Sequence, residues 1–257
     1  MKLSQKAVAG ALLLMLICLP GLASAAVPGT VTVTPSAINI GASFNGIDIK
    51  VEGTIPKDAD AVVRFKSGEQ DVALKEKGKA MGILWMNMGT VTFHHCPDIF
   101  MVATPQSLTK ESDQWKGLNL GIPSLINQIE ITPASGDKTF LFDEFVKLKS
   151  KHGAYASGFG EVAYQTPTNE LKPFSAKISI PSGLKPGSYQ VEVFTVKDGA
   201  VVSKDQTSVD VEETGFPKFL ASLAFGKPLL YGIVSVIIAL AAGLLTGLIF
   251  QGSNEGH

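Results

Sequence analysis

Leu229 to Phe250 is a run of 22 residues without a charged side chain. A helix rising about 1.5 Å per residue crosses a hydrocarbon core of about 30 Å over that length with slight tilt. Only lipid or a closed core solvates so apolar a surface, so the segment is read as a transmembrane helix over 229–250. Tyr231 sits near one end, where an amphipathic ring suits the headgroup level. Residues 251–257 are then a short cytoplasmic tail. Lys227 lies outside the span and Glu255 is the tail's one full charge, so loop charge does not favour an exported domain on this topology. Orientation has to come from the other end of the chain.

That end supplies a reason. Lys2 and Lys6 precede an apolar stretch from Ala7 to Leu19, broken by Pro20-Gly21 and followed by the small residues Ala23-Ser24-Ala25. The pattern predicts a secretory signal peptide over 1–25, with cleavage before Ala26. Ile17 stands before Cys18, a position that lipid attachment signals fill with a small residue. The expected location is therefore the bacterial cytoplasmic (inner) membrane, single-pass, with the domain of residues 26–215 in the periplasm.

Loss of Lys2 and Lys6 leaves 20 of the 22 basic side chains against 23 acidic ones. Such a balance carries no basic face for nucleic acid. Cys96 is the only cysteine remaining, so an internal disulfide is excluded even in an oxidising compartment.

Period-two alternation dominates the exported part. Thr30 to Thr34, Ile47 to Val51, Ala61 to Phe65 and Val72 to Leu74 read as half-buried strands, as do Ile83 to Met88 and Thr90 to Phe93. The pattern returns with Ala176, Ile178 and Ile180, then Tyr189 to Thr195, then Ala200 to Val211 after an Asp198-Gly199 hairpin turn. Between these sets, Ile122 to Ile131 and Thr139 to Lys151 space their apolar residues by three and four, and Gly153 follows a Lys-rich helix end. The expectation is a mainly β fold: an immunoglobulin-like β-sandwich with a helical insertion at about 111–155, a juxtamembrane linker over 216–228 and one C-terminal transmembrane helix.

On the span, Ser235, Ala239, Gly243 and Gly247 recur every four residues as a ridge of small side chains. Such a ridge lets a second helix approach, from another copy of the chain or from an integral membrane protein partner.

Further segments carry a resemblance. They are Phe44-Asn45-Gly46 leading into Ile49-Lys50-Val51-Glu52-Gly53, Gly82-Ile83-Leu84-Trp85-Met86-Asn87 and Phe100-Met101-Val102-Ala103. Gly187-Ser188-Tyr189, Asp198-Gly199-Ala200-Val201-Val202 and Pro228-Leu229-Leu230-Tyr231-Gly232 continue the series. In this order and spacing they resemble the alphaproteobacterial-type transmembrane protein family, over nearly the whole mature chain. The resemblance implies an exported β-rich domain on one C-terminal span. It also implies a place beside permeases of the sulfite and organosulfonate exporter type, and it brings no catalytic residues. His94-His95-Cys96 departs from the family pattern, as do Met86 and Met88.

Those departures form the one unexpected clustering of chemistry. Met81, Met86, Met88 and Met101 lie within 21 residues that also hold His94, His95 and Cys96, a set of soft ligands that suits copper. His94 and His95 point to opposite faces of an extended strand, so both reach one ion only at a bend, with His152 a candidate outside ligand. The competing reading makes Met86 and Met88 core fillers and Cys96 a small buried hydrophobe. Trp85 and Asn87 are likewise either a recognition surface or inner-strand core, while Trp115 stands in a polar stretch.

Other signals fall away. Gly158-Phe159-Gly160-Glu161-Val162-Ala163 imitates a dinucleotide fingerprint but runs into alternating β residues. Asp143 and Glu144 diverge around a predicted helix, and no hydrolase, metalloprotease or haem motif is present. The sequence thus points to a noncatalytic membrane-anchored accessory protein, with a soft-metal binding or delivery protein as the alternative.

Overall fold

The computed structural model describes residues 31–133 and 137–251; the expected signal peptide and residues 252–257 of the tail lie outside them. Within the described residues the fold is mainly β, as expected, with one C-terminal apolar helix. Nine strands form one sheet. They are β1 (Thr32–Thr34), β2 (Ala37–Ile40), β3 (Ile47–Pro56), β4 (Asp60–Lys66), β7 (Phe100–Pro105), β9 (Tyr155–Tyr164), β10 (Leu171–Ile180), β11 (Gly187–Lys197) and β12 (Ala200–Glu213). Their order is β1-β3-β10-β9-β7-β4-β11-β12-β2. A second sheet takes β5 (Glu69–Ala80), β6 (Leu84–Pro97) and β8 (Glu130–Thr132) in the order β5-β6-β8.

The strand order dictates the shape. β1 and β2 are the two outermost strands, yet only Pro35 and Ser36 separate them in the chain. So short a connection holds its ends within roughly 10 Å. The sheet therefore has to roll round until its edges meet, a near-barrel, and the two layers of the expected sandwich belong to this single rolled sheet. Its interior is filled by the alternate residues read from the sequence: Ile49 and Val51 of β3 lie opposite Ile178 and Ala176 of β10, with Val63, Phe65, Val191, Val193 and Val209 around them. Tyr189 closes one corner, its hydroxyl donating to Lys185 O at 2.9 Å, a backbone tie that β-sandwiches use at strand corners.

The helical insertion has a topological cause. β7 and β9 pair in parallel, and parallel neighbours require a long crossover. Residues between Pro105 and Tyr155 supply it as α1 (Asp113–Leu118), a 3-10 helix (Ile122–Asn127), β8 and α2 (Lys138–Lys151). Asp137 caps α2 by accepting from Thr139 N, and Gly153 ends it at φ +70°, the stop expected there. The segment 122–131 departs from the helical expectation: after the 3-10 helix, Ile129 and Ile131 turn inward around β8, which pairs with β6. Trp115, read as a loop residue, is buried at 7 % exposure inside α1, whose N-cap Ser112 accepts from Trp115 N.

This crossover packs on the outer face of the sheet and builds a second core. Val62, Phe100, Val102, Phe194 and Val196 face outward from the sheet against Phe93, Leu125, Phe142 and Phe145, with Phe93 and Phe145 stacked at 4.3 Å. β7 is consequently buried on both faces along its whole length.

α3 (Gly215–Gly226) follows β12 and leads into α4 (Pro228–Gln251), which is about 36 Å long. Ser235 and Thr246 return their hydroxyls to Tyr231 O and Ala242 O, each at 2.8 Å, so neither hydroxyl asks lipid for a partner.

Candidate functional site

The residues singled out for soft-metal chemistry do not converge. Cys96 is fully buried in the outer core, its thiol donating to Gln70 O at 3.1 Å, and burial pushes that thiol up. Met101 belongs to the near-barrel interior, on the other side of the sheet. The two histidines do meet the bend they would need: together they stand opposite the single residue Asp71, a bulge on β6, and His95 takes φ +57°. Its consequence is different. His94 Nδ1 lies 2.7 Å from Asp71 Oδ2 and Nε2 lies 2.8 Å from Thr132 Oγ1, so both ring nitrogens are engaged. The His94 hydrogen bond holds the Asp71 carboxyl below its ordinary value despite the opposing desolvation. His95 turns to solvent toward Glu69 at 3.6 Å, and His152 is exposed at the end of α2. Among the described residues no three His, Cys, Asp or Glu side chains group to hold a metal ion. Met86 and Met88 stand roughly 30 Å along β6 from Cys96, counting about 3.3 Å per residue.

Met86, Met88 and Trp85 are not core residues either: all three are exposed. β5 and β6 form a long hairpin, but β8 pairs only with Thr92, Phe93 and His94, so among the described residues no third strand continues along it beyond that point. Near its base, Val91 and Phe93 are buried in the outer core, with Val72 and Leu74 packed against it. Past Val91 the hairpin leaves the domain as an arm, and every residue from Leu84 to Thr90 is exposed, about 20 Å of strand. The tip Met81-Gly82-Ile83 turns with left-handed backbone at Met81 and Gly82.

The arm is two-faced. Pairing of Lys79 with Trp85 and Lys77 with Asn87 puts these four side chains on one face, where the Lys79 ammonium lies 5.3 Å from the Trp85 ring centroid. Lys75 continues the row and donates to Thr90 Oγ1 at 2.7 Å. The other face carries Leu84, Met86 and Met88 beside Gly78, in line with the side chains that enter the core at the base. Met81 is 98 %, Ile83 85 %, Leu84 66 % and Trp85 65 % exposed. An ordered hairpin that carries so many large apolar side chains into open space marks an interaction surface. Its alternation is that of any half-buried strand, so sequence did not reveal that nothing covers the far half. The lysine row on β5 and the glycine opposite two methionines were the available signal.

Ser235, Ala239, Gly243 and Gly247 do align along α4, and a Cβ on Gly243 or Gly247 would meet nothing within 4 Å. A mainly β domain, extended by an apolar arm and followed by the one helix among the described residues long and apolar enough to cross a bilayer, defines a single-pass membrane protein. A family model described as "Putative transmembrane protein" matches residues 30–252, and the chain belongs to that family. No curated protein matches the sequence.

Proposed function

We propose that this chain is a noncatalytic accessory protein of the bacterial cytoplasmic membrane, its β domain in the periplasm, which docks its arm onto an integral membrane protein of permease type. The reading rests on one observation: Met81, Ile83, Leu84, Trp85, Met86 and Met88 are all exposed on the end of an arm that contributes nothing to either core. Burying such side chains in a partner is favourable by about 1.5 to 3 kcal/mol each, and Trp and Met are favoured anchors of protein interfaces. The signal-peptide pattern and the likeness to exporter-associated proteins support the compartment and the kind of partner.

A photo-crosslinking amino acid at position 84 in cells tests the docking. The expected result is a discrete adduct with a membrane-embedded protein, lost when Trp85 and Met86 are changed to Lys. Adducts with lipid alone, or with a second copy of the chain alone, would overturn it. Protease treatment of spheroplasts tests the orientation, which fails if the β domain is protected.

A further inference from the structure

The crossover leaves a cavity on the domain, away from the arm. It has a volume of about 730 Å³ and lies between α1, the start of the 3-10 helix, α2 and the first half of β9, within the range of roughly 300–1,000 Å³ usual for small-molecule sites. Its wall is built rather than incidental. Trp115 and Phe159 meet edge to face at 5.8 Å, and Gly121 lets the indole lie against the backbone: a Cβ there would stand 2.9 Å from Trp115 Cζ2. Val146 and Ile122 extend the apolar lining. Lys110 and Lys116 complete it, and among the described residues no carboxylate lines it. Asp113, 3.8 Å from Lys116 Nζ, is a fully exposed side chain, too solvated to neutralise that lysine.

An apolar chamber with cations in its lining selects by charge as well as by polarity. We infer that this cavity binds an apolar organic monoanion, with its hydrocarbon body against Trp115, Phe159 and Val146 and its anionic head beside Lys110 and Lys116. A neutral molecule of the same shape would gain the burial without the charge interaction, and an apolar cation would be repelled. The site is independent of the arm and of any docking there.

The chain holds two tryptophans, and Trp85 sits on the arm, so Trp85→Phe leaves Trp115 as the sole fluorescent reporter inside the cavity. Full-length Trp85→Phe protein in nanodiscs is titrated with octanoate and, separately, with octanol. The expected result is a saturable change in Trp115 emission with octanoate. Binding should weaken severalfold in Lys110→Gln plus Lys116→Gln and be abolished by Ser157→Phe, which places a ring in the cavity and leaves both lysines intact. A response that never saturates, or that survives Ser157→Phe, overturns the site. Octanol binding as tightly as octanoate, or indifference to loss of both lysines, overturns the preference for an anion. Unchanged thermal melting of each variant keeps a folding defect from standing in for lost binding.

Discussion

Met88 lies across Gly78 on the arm: a Cβ on that glycine would stand 2.6 Å from Met88 Cγ. Met88 is the unpaired residue of a bulge, since Lys77 pairs with Asn87 and Glu76 with Gly89. A bulge twists its strand and redirects a side chain, and glycine opposite provides the space. The apolar face of the arm is therefore shaped by its own residues. Gly78→Val should push the flexible methionine aside and weaken arm-dependent crosslinking. Because the arm lies outside both cores, the melting temperature should shift by no more than about 2 °C. A large loss of stability would mean that the arm folds as part of the domain, and its role as a free docking element would have to be given up.

Glu192 is buried on the outer face of β11 within 2.6 Å of Arg64 Nε and 2.7 Å of Lys204 Nζ, with Lys66 at 3.5 Å. Arg64 is also stacked over Phe194 and Phe100 at 4.7 and 5.4 Å from their centroids. Desolvation alone would raise this carboxyl, but the close ammonium of Lys204, the hydrogen bond from Arg64 and the surrounding charges hold it below its ordinary value. A carboxyl lowered on folding contributes stability that is complete above its unfolded pKa and disappears as pH falls through the folded one. Glu192→Ala at neutral pH should cost about 3 kcal/mol, because Arg64 is left buried without its anion. Urea unfolding at pH 7 and at pH 3 checks both claims. Wild type should lose stability on acidification, and the variant should lose measurably less.

Local features were legible in the sequence. Asp198 and Gly199 both adopt the positive φ of the expected hairpin turn, and β10 and β11 bury the alternate residues that period two marked, whereas β12 buries only Val209 and Val211. What escaped was non-local. Nothing in the residues of β7 announces that β9 will lie parallel beside it, and the meeting of β1 and β2 follows from an ordering of nine strands, not from either strand. Ile129 continues the helical spacing of Ile122, Leu125 and Ile126 but also stands two residues from Ile131, as on one face of a strand, and pairing with β6 decided for the strand. Burial was misread for the same reason in opposite directions. Trp115 has polar neighbours but gained a cover from Phe159 and the start of the 3-10 helix, whereas Leu84, Met86 and Met88 have the pattern of a buried face and no element opposite.

Cys96 offers a test of how firmly the outer core is closed. Its side chain is wholly inaccessible, and burial raises the thiol, so the reactive thiolate is scarce on two counts. Labelling with a thiol reagent at pH 8 should be slower than in denaturant by on the order of 100-fold or more, and should rise with urea along the global unfolding curve. Rapid labelling of the native protein would show that the β5–β6 hairpin opens at its base and that the outer core does not fix the arm.

The ridge on α4 permits a clean experiment because the helix itself does not need the glycines. A Cβ on Gly243 or Gly247 meets no atom within 4 Å, so leucine at both positions adds side chains to open space and leaves the monomeric helix unstrained. Leucine is also the better helix former, so any loss must come from contact with another helix. Close approach across a small-residue ridge depends on dispersion between backbones, and bulky side chains abolish it. Gly243→Leu plus Gly247→Leu should therefore shift the native assembly to lower mass on blue native electrophoresis, whereas Leu244→Ile, on a different face, should leave it unchanged. Export and melting of the β domain should be the same in all three proteins. An assembly that keeps its mass with both leucines in place would remove α4 from the interface and leave the arm as its only contact.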